Sequence, residues 1–521
     1  MLQDKCVYFN KYKVTKYELG HIVPVIIKRI FDSKFFANLK DLVVPYYAIS
    51  DSGFLYLSSA IKNSTKIQKF ILDDNEITKK SARIVGDFIK QNRSVVTLSL
   101  NSNLLGESAG KFLAEAIEQN NVLEELALSK NYLEDKGCKY LFDSLAKNTK
   151  IKKLNMSYNE FSEVSVVKLV NSMKLNKNLE KLELNNNLIG PQGAKVIAEM
   201  LKSEKVLSFL DLSYNGICSD GTKFIASALG VNDSIKYFRF GGNYIKNEGA
   251  KLLAVMLTTN RRIKKLDLTE SDFDFTGVGY FAESLGSNVT LNTFILDMNK
   301  IENKGVALLS ELLKQKSPLK GLNLNKCNIT DEGIEHLCTA LKTNTTLEKI
   351  QLDDNKIGVV GAKYLSEVIK INTKLNTISI KNNSLGRDGV LIITEWLKSN
   401  MTITSFNISG HPIEAVGAKQ LAETLKNNVC LEKLYMNNCR LRDDGLKEIC
   451  DMLKVNKTLN EIEFEENGIS KTGAQFLLDI LKINSILVDV SLQENNVPED
   501  ILKSLNKALK MNKTISTVVD K

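Results

Sequence analysis

The 521-residue chain has only six prolines, three histidines and one tryptophan, and nowhere an apolar run long enough to span a bilayer. With no Pro/Gly/Ser-rich stretch and no low-complexity block, domains strung on linkers are not expected. Length alone would suggest about three domains. The first stretch, MLQDKCVYFNKYKVTKYELGHIVPVIIKRIF, scatters its charges and has no apolar run longer than IVPVII, so it does not read as a secretory signal. The eight cysteines lie apart without a CxxC pair. A reducing, cytoplasmic setting is therefore expected rather than a disulfide framework.

His21, His336 and His411 are far apart, and neither HExxH, nor zinc-ligand spacing, nor a local Ser/His/Asp arrangement occurs. Cys327 with Cys338, and Cys439 with Cys450, recur at one spacing and read as small core thiols rather than metal ligands. No GxxxxGK[ST] phosphate loop is found. No catalytic residue, metal or cofactor is expected, and the chain is not read as an enzyme.

What the chain has instead is a period. Asparagine recurs at Asn75, Asn103, Asn131, Asn159, Asn187, Asn215, Asn243, Asn299, Asn355, Asn383, Asn467 and Asn495, always at 28 residues or a multiple of it. Ser271, Cys327, His411 and Cys439 fill the gaps, giving 16 units, and a weaker unit centred on Tyr47 precedes them. Counting from the Asn as position 0, apolar residues stand at −8, −5, −3 and +2, as in Leu179, Leu182, Leu184 and Ile189. The −5/−3 pair predicts a short strand. Glycine stands at +6 in 13 of 17 units, and apolar residues at +7, +10, +11 and +14 (Ala250, Leu253, Ala254, Leu257) predict a helix of about three turns. A second Asn closes the helix at +17, replaced only by Glu204 and Lys316. There its tolerance of the left-handed conformation is the expected reason.

Each strand–turn–helix–turn unit has an apolar face that it buries only by stacking. The expected architecture is a curved α/β solenoid of about 16–17 units with an inner parallel sheet and outer helices. Residues 1–46 would form a helical cap, 47–514 the solenoid, and 515–521 a closing half-strand. Position 0 leaves the sheet where backbone groups lack partners, so its amide is expected to be scaffold that satisfies them. Asn185 and Asn186 would point off the strand, free to bind.

The pattern LxxLxLxxN…G…L…L…N, clearest in LEELALSKNYLEDKGCKYLFDSLAKN and LEKIQLDDNKIGVVGAKYLSEVIKIN, resembles the ribonuclease-inhibitor-type leucine-rich repeat from about residue 39 to the end. The all-28 period is similar to that of the nucleotide-binding leucine-rich-repeat receptors. The stretch 58–92 also resembles the first repeats of the leucine-rich subunit of the axonemal nexin–dynein regulatory complex. Ran GTPase-activating proteins are similar too, but SDFDFTG (271–277) lacks their arginine and the last residues are not acidic. The resemblance implies a non-catalytic scaffold holding partner proteins on its concave face. The alternatives are a structural subunit of a cytoskeletal or ciliary assembly, and a GTPase-activating regulator using Arg239 or Arg440.

Strand positions −6, −4, −2 and −1 would line that face. In the −4, −2 and −1 rows 13 acids stand against four bases, so a basic protein surface is the expected guest. Nucleic acid on this face and a membrane are not expected. The net charge of +9 must then lie on helices, edges and the first residues. Two partner-binding patches stand out. Tyr158, Phe209, Tyr214, Tyr237 and Arg239, with floor space over Gly241 and Gly242, have the composition of interface anchors. Glu461, Glu463, Glu465, Glu466 and Glu494, with Tyr435 beside them, form an acidic patch whose like charges at sheet spacing cost stability unless a cationic guest relieves them.

Overall fold

The computed structural model describes residues 6–8, 39–46, 49–315 and 317–519. They fall in two compact units, Met1–Asp267 and Leu268–Lys521. The helical cap expected over 1–46 lies mostly outside the described residues. Within them, Cys6–Tyr8 pairs in parallel with Asp41–Val43, the strand of the Tyr47 unit.

In the first unit, strands of three residues follow one another in parallel from Asp41–Val43 through Lys69–Ile71 to Lys265–Asp267. Each is separated from the next by a helix, such as Gly190–Ser203 between Lys181–Glu183 and Phe209–Asp211. The second unit repeats the arrangement from Phe275–Leu285 to Asp489–Ser491. Pairing is in register with the period: Lys181 stands against Phe209, Leu182 against Leu210 and Glu183 against Asp211. Side chains at equal positions therefore form rows, −6 and −4 on the open sheet face and −5 underneath. Leu182, Leu210 and Phe238 at −5, and Leu184, Leu212 and Phe240 at −3, are fully buried. Glycine at +6 has a steric cause, since a Cβ on Gly137 would lie 2.8 Å from the carbonyl oxygen of Glu107.

The chain finishes with the helix Glu499–Val519, which continues through the positions where a closing half-strand was expected. The reason is local: Asp489–Ser491 is the last strand, and EDILKSLNKALKMNKTISTVV has a helical apolar period unbroken by glycine or proline.

The asparagines at position 0 bridge neighbouring units, and all but Asn383 and Asn495, which are partly exposed, are buried. Asn187 donates through Nδ2 to the carbonyls of Met156, Leu184 and Asn185 (3.2, 2.9 and 3.3 Å), and its Oδ1 accepts the Asn159 backbone N–H at 2.9 Å. Among the substitutes, His411 keeps both functions. His411 Nε2 accepts from Asn383 N–H at 3.3 Å while its Nδ1 faces the Ile408 carbonyl at 2.9 Å, which assigns the Nδ1–H tautomer. Cys327 donates to the Leu296 and Asn325 carbonyls. Burial pushes its thiol, and that of Cys439, up to about 12. These thiols are hydrogen-bonding core groups, not nucleophiles.

Two features of the turns differ from expectation. None of the +17 asparagines is left-handed, and those that cap their helices directly are extended: Asn92 has φ −70° and ψ 138°, Asn232 φ −74° and ψ 134°. They form a second ladder under the helix ends. Asn148 Nδ2 donates to the Ile117 carbonyl at 2.8 Å, and its Oδ1 accepts from Lys150 and Ile151 N–H at 2.9 and 2.8 Å. Glu204 preserves the accepting half alone, taking three backbone N–H groups at 2.7–3.1 Å. Left-handed residues stand instead at −1, just before the ladder, and in many units also at +1 and +3. Asp74, Ser102, Lys130, Tyr158, Asn186, Tyr214 and Gly242 have φ between 53° and 67°, and the second unit follows suit from Glu270 to Glu494. That turn swings the next side chain, the ladder Asn, under the sheet, at a local cost of about 1–2 kcal/mol for each non-glycine residue.

Candidate partner-binding face

The first patch lies within the first unit. Register sets Lys181, Phe209, Tyr237 and Lys265 side by side in the −6 row, and Glu183, Asp211, Arg239 and Asp267 in the −4 row. Tyr158 is 50% exposed, Tyr214 40% and Tyr237 43%. Tyr158 and Tyr214 project from left-handed turns at −1, whose strained backbone gives the rings a fixed exit direction.

Arg239 is not a free anchor. Its guanidinium lies 5.4 Å from the Phe209 ring centroid, with Lys181 Nζ also over that ring at 4.7 Å, and Nη1 stands 3.6 Å from Asp211 Oδ2. Burial raises the Asp211 carboxyl above its ordinary range, against the Ser213 N–H and Arg239, which hold it down. Nor is the floor beside it open: a Cβ on Gly242 would fall 2.2 Å from Cδ1 of Tyr214, whose ring fills that space. Glycine at 242 makes room for the tyrosine, so the ring has a fixed seat and a half-exposed outer face. Asn185, expected to be free, accepts from the Ser157 hydroxyl.

The second patch lies within the second unit, and the structure divides it. Glu461 is held by Lys433 Nζ at 2.6 Å and by the Tyr435 hydroxyl at 2.8 Å. Burial raises its carboxyl, but those two hydrogen bonds outweigh it and leave Glu461 below the ordinary range. Asn437 Nδ2 donates to Glu463 at 2.7 Å, and the Ser491 hydroxyl to Glu465. Tyr435 is therefore half-buried and tied down, not a neighbouring anchor. Glu466 and Glu494, both at −1, are the exposed acids of the group. Elsewhere, Asp73 holds the Ser99 hydroxyl and Asn101 N–H (2.6 and 2.9 Å), and Asp353 holds the Lys381 N–H at 2.8 Å. Acids at −2 thus bond the next strand, a use that counting charges along rows does not reveal.

Sequence reasoning also underweighted the −6 row. Lys153 pairs with Glu125, Lys181 with Glu183 at 3.1 Å and Lys433 with Glu461, so lysines at −6 offset part of the acidity beside them. Arg440 is exposed on a left-handed turn (φ 55°) with Arg442, Asp443, Asp444 and Glu466 around one shallow cleft.

The leucine-rich repeat family matches seven stretches of the chain: 119–142, 147–170, 175–198, 315–338, 343–366, 399–422 and 427–450. Together with the strand–turn–helix unit and its asparagine ladder, these make the chain a leucine-rich-repeat protein. No curated protein matches it. Among solved structures it is similar to actin-binding site 2 of leiomodin-1, at 18% identity and TM-score 0.29 over 30% of this chain and 91% of that one. It is also similar to TLR13 in its complex with ssRNA13, at 16% identity and TM-score 0.49 over 86% of this chain and 63% of that one. A third is the mouse RP105/MD-1 complex, at 13% identity and TM-score 0.43 over 88% and 81%. No helix among the described residues is long and apolar enough to cross a membrane.

Proposed function

We propose that the protein is a non-catalytic scaffold that binds a partner protein on its open sheet face, with Tyr158 and Tyr214 as anchors. The supporting observation is that two half-exposed aromatic rings sit in one row on strained, ladder-held turns. A ring so placed loses little conformational freedom on binding and offers large contact area with a polar tip. The chain would be a ribonuclease-inhibitor-type member of the repeat family working in the cytoplasm. Of the narrower readings, a GTPase-activating role would rest on Arg440, because Arg239 is already held by Asp211 and Phe209. An axonemal role rests on the resemblance of 58–92 alone.

Capture by the native protein followed by mass spectrometry tests the proposal. Tyr158→Ala with Tyr214→Ala should abolish recovery of a partner that the wild type enriches, with the melting temperature unchanged. Equal recovery by both proteins would overturn the assignment of this row.

A further inference from the structure

The edge where the strands begin carries the opposite charge to the rows beside the ladder. Lys264 and Lys265 N–H both donate to the Lys236 carbonyl (2.8 and 3.1 Å), as Lys236 and Tyr237 N–H do to that of Ser208 (2.8 and 3.0 Å). The two strand starts are thereby fixed side by side, about 4.8 Å apart. Across 231–237 and 259–265 the chain has Lys236, Arg261, Arg262, Lys264 and Lys265 against one acid, Asp233. Lys205 takes that acid at 2.9 Å. Lys236, Arg261, Arg262 and Lys264 are exposed, and so are two apolar neighbours, Val231 (65%) and Tyr237 (43%).

We propose that this strand-start edge docks an acidic segment of a partner protein, its carboxylates on Lys236, Arg262 and Lys264 and an apolar side chain against Tyr237 and Val231. Charge sets the class of guest. Three residues beyond Lys264 on its own strand, about 10 Å away, lies Asp267 of the −4 row, with Asp211 and Glu183 of that row on the strands past Arg239. A nucleic-acid duplex, with a charge about every 1.7 Å of its axis, would press phosphates onto those acids as well as onto the lysines. A single extended acidic chain fits the basic strip alone, and an aromatic or aliphatic residue within it covers Tyr237. The edge is separate from the Tyr158 and Tyr214 row and does not require that row to bind anything.

The test uses the full-length protein and a short fluorescein-labelled peptide of glutamates around one phenylalanine, followed by fluorescence anisotropy at low salt. Lys236→Glu with Lys264→Glu should weaken binding about tenfold or more, since like charges then face each other. Tyr237→Ala should weaken it by a smaller factor. Lys111→Glu with Lys139→Glu, the same charge change on the outer helices, should leave binding unaltered, as should Tyr158→Ala with Tyr214→Ala. Equal losses from both lysine pairs would reduce the effect to net charge and overturn the proposal. Displacement of the peptide by a thymidine oligonucleotide at lower concentration than by unlabelled peptide would also overturn it, marking the edge as a nucleic-acid surface.

Discussion

Replacing Asn187 by Ala separates the ladder's structural role from any binding role, and its cost can be worked from the hydrogen bonds. The three carbonyls that Asn187 serves each keep another partner. Met156 O retains Asn159 Nδ2 (3.1 Å), Leu184 O retains Asn215 Nδ2 (3.0 Å), and Asn185 O retains the Tyr158 N–H (3.0 Å). The group left alone is the Asn159 N–H, whose acceptor at 2.9 Å is the lost Oδ1. One buried donor without a partner costs about 1–3 kcal/mol. A repeat array opens in pieces, so a local probe is the appropriate one. Amide hydrogen exchange of peptides within 151–190 should accelerate about five- to 150-fold, with repeats far along the chain unchanged. Asn187→His should be milder than Ala, because His411 already performs both functions at this position. Asn185→Ala, one turn away and half-exposed, is the control. Equal acceleration by Asn185→Ala and Asn187→Ala would refute the reasoning.

Two further outcomes follow from the buried titratable groups. Burial lowers His411 from its ordinary 6.5, so the unfolded chain takes up a proton that the folded chain refuses. The stability of its repeats is full above pH 6.5 and falls as the pH drops below it; His411→Asn should flatten that part of the melting profile. Burial raises the thiols of Cys138, Cys327, Cys338, Cys439 and Cys450, while Cys218 and Cys430 are partly exposed. Among these seven, iodoacetamide should label Cys218 and Cys430 in the native protein, and labelling of Cys327 at a similar rate would contradict its place in the ladder.

The period was legible because burial enforces it. A Leu182 or Leu184 that slipped by one residue would face water, so the 28-residue rhythm and the strand–helix alternation can be read from the apolar positions alone. The conformations of the turns could not be read in the same way. Left-handed φ at −1 is usually signalled by glycine, but only Gly242 and Gly410 provide it; Lys130, Tyr158 and Glu466 adopt it because the ladder hydrogen bonds outweigh the local cost. The +17 asparagines mislead in the opposite sense, since a residue type that tolerates the left-handed region stands there for its amide and keeps out of that region.

The candidate face was legible as a list of residues but not as a pattern of free and occupied groups. A glutamate in a row has the same letter whether it faces solvent, as Glu466 does, or accepts from a lysine and a tyrosine, as Glu461 does. Which of these holds depends on the neighbours 26 and 28 residues away, and only the register supplies them. The same register explains why, on the proposed reading, aromatics would outrank charges here as anchors. Charged side chains on a parallel sheet find partners on adjacent strands and are thereby half-neutralised, whereas Tyr158 and Tyr214, each extruded by its own turn, keep an apolar face toward solvent. A guest that bound chiefly through charge would have to displace the Lys433–Glu461 and Arg239–Asp211 pairs and pay their desolvation. On the proposed reading, a guest that covers the exposed faces of the two rings breaks neither of those pairs, so its affinity would come from the aromatics and charge would steer the approach.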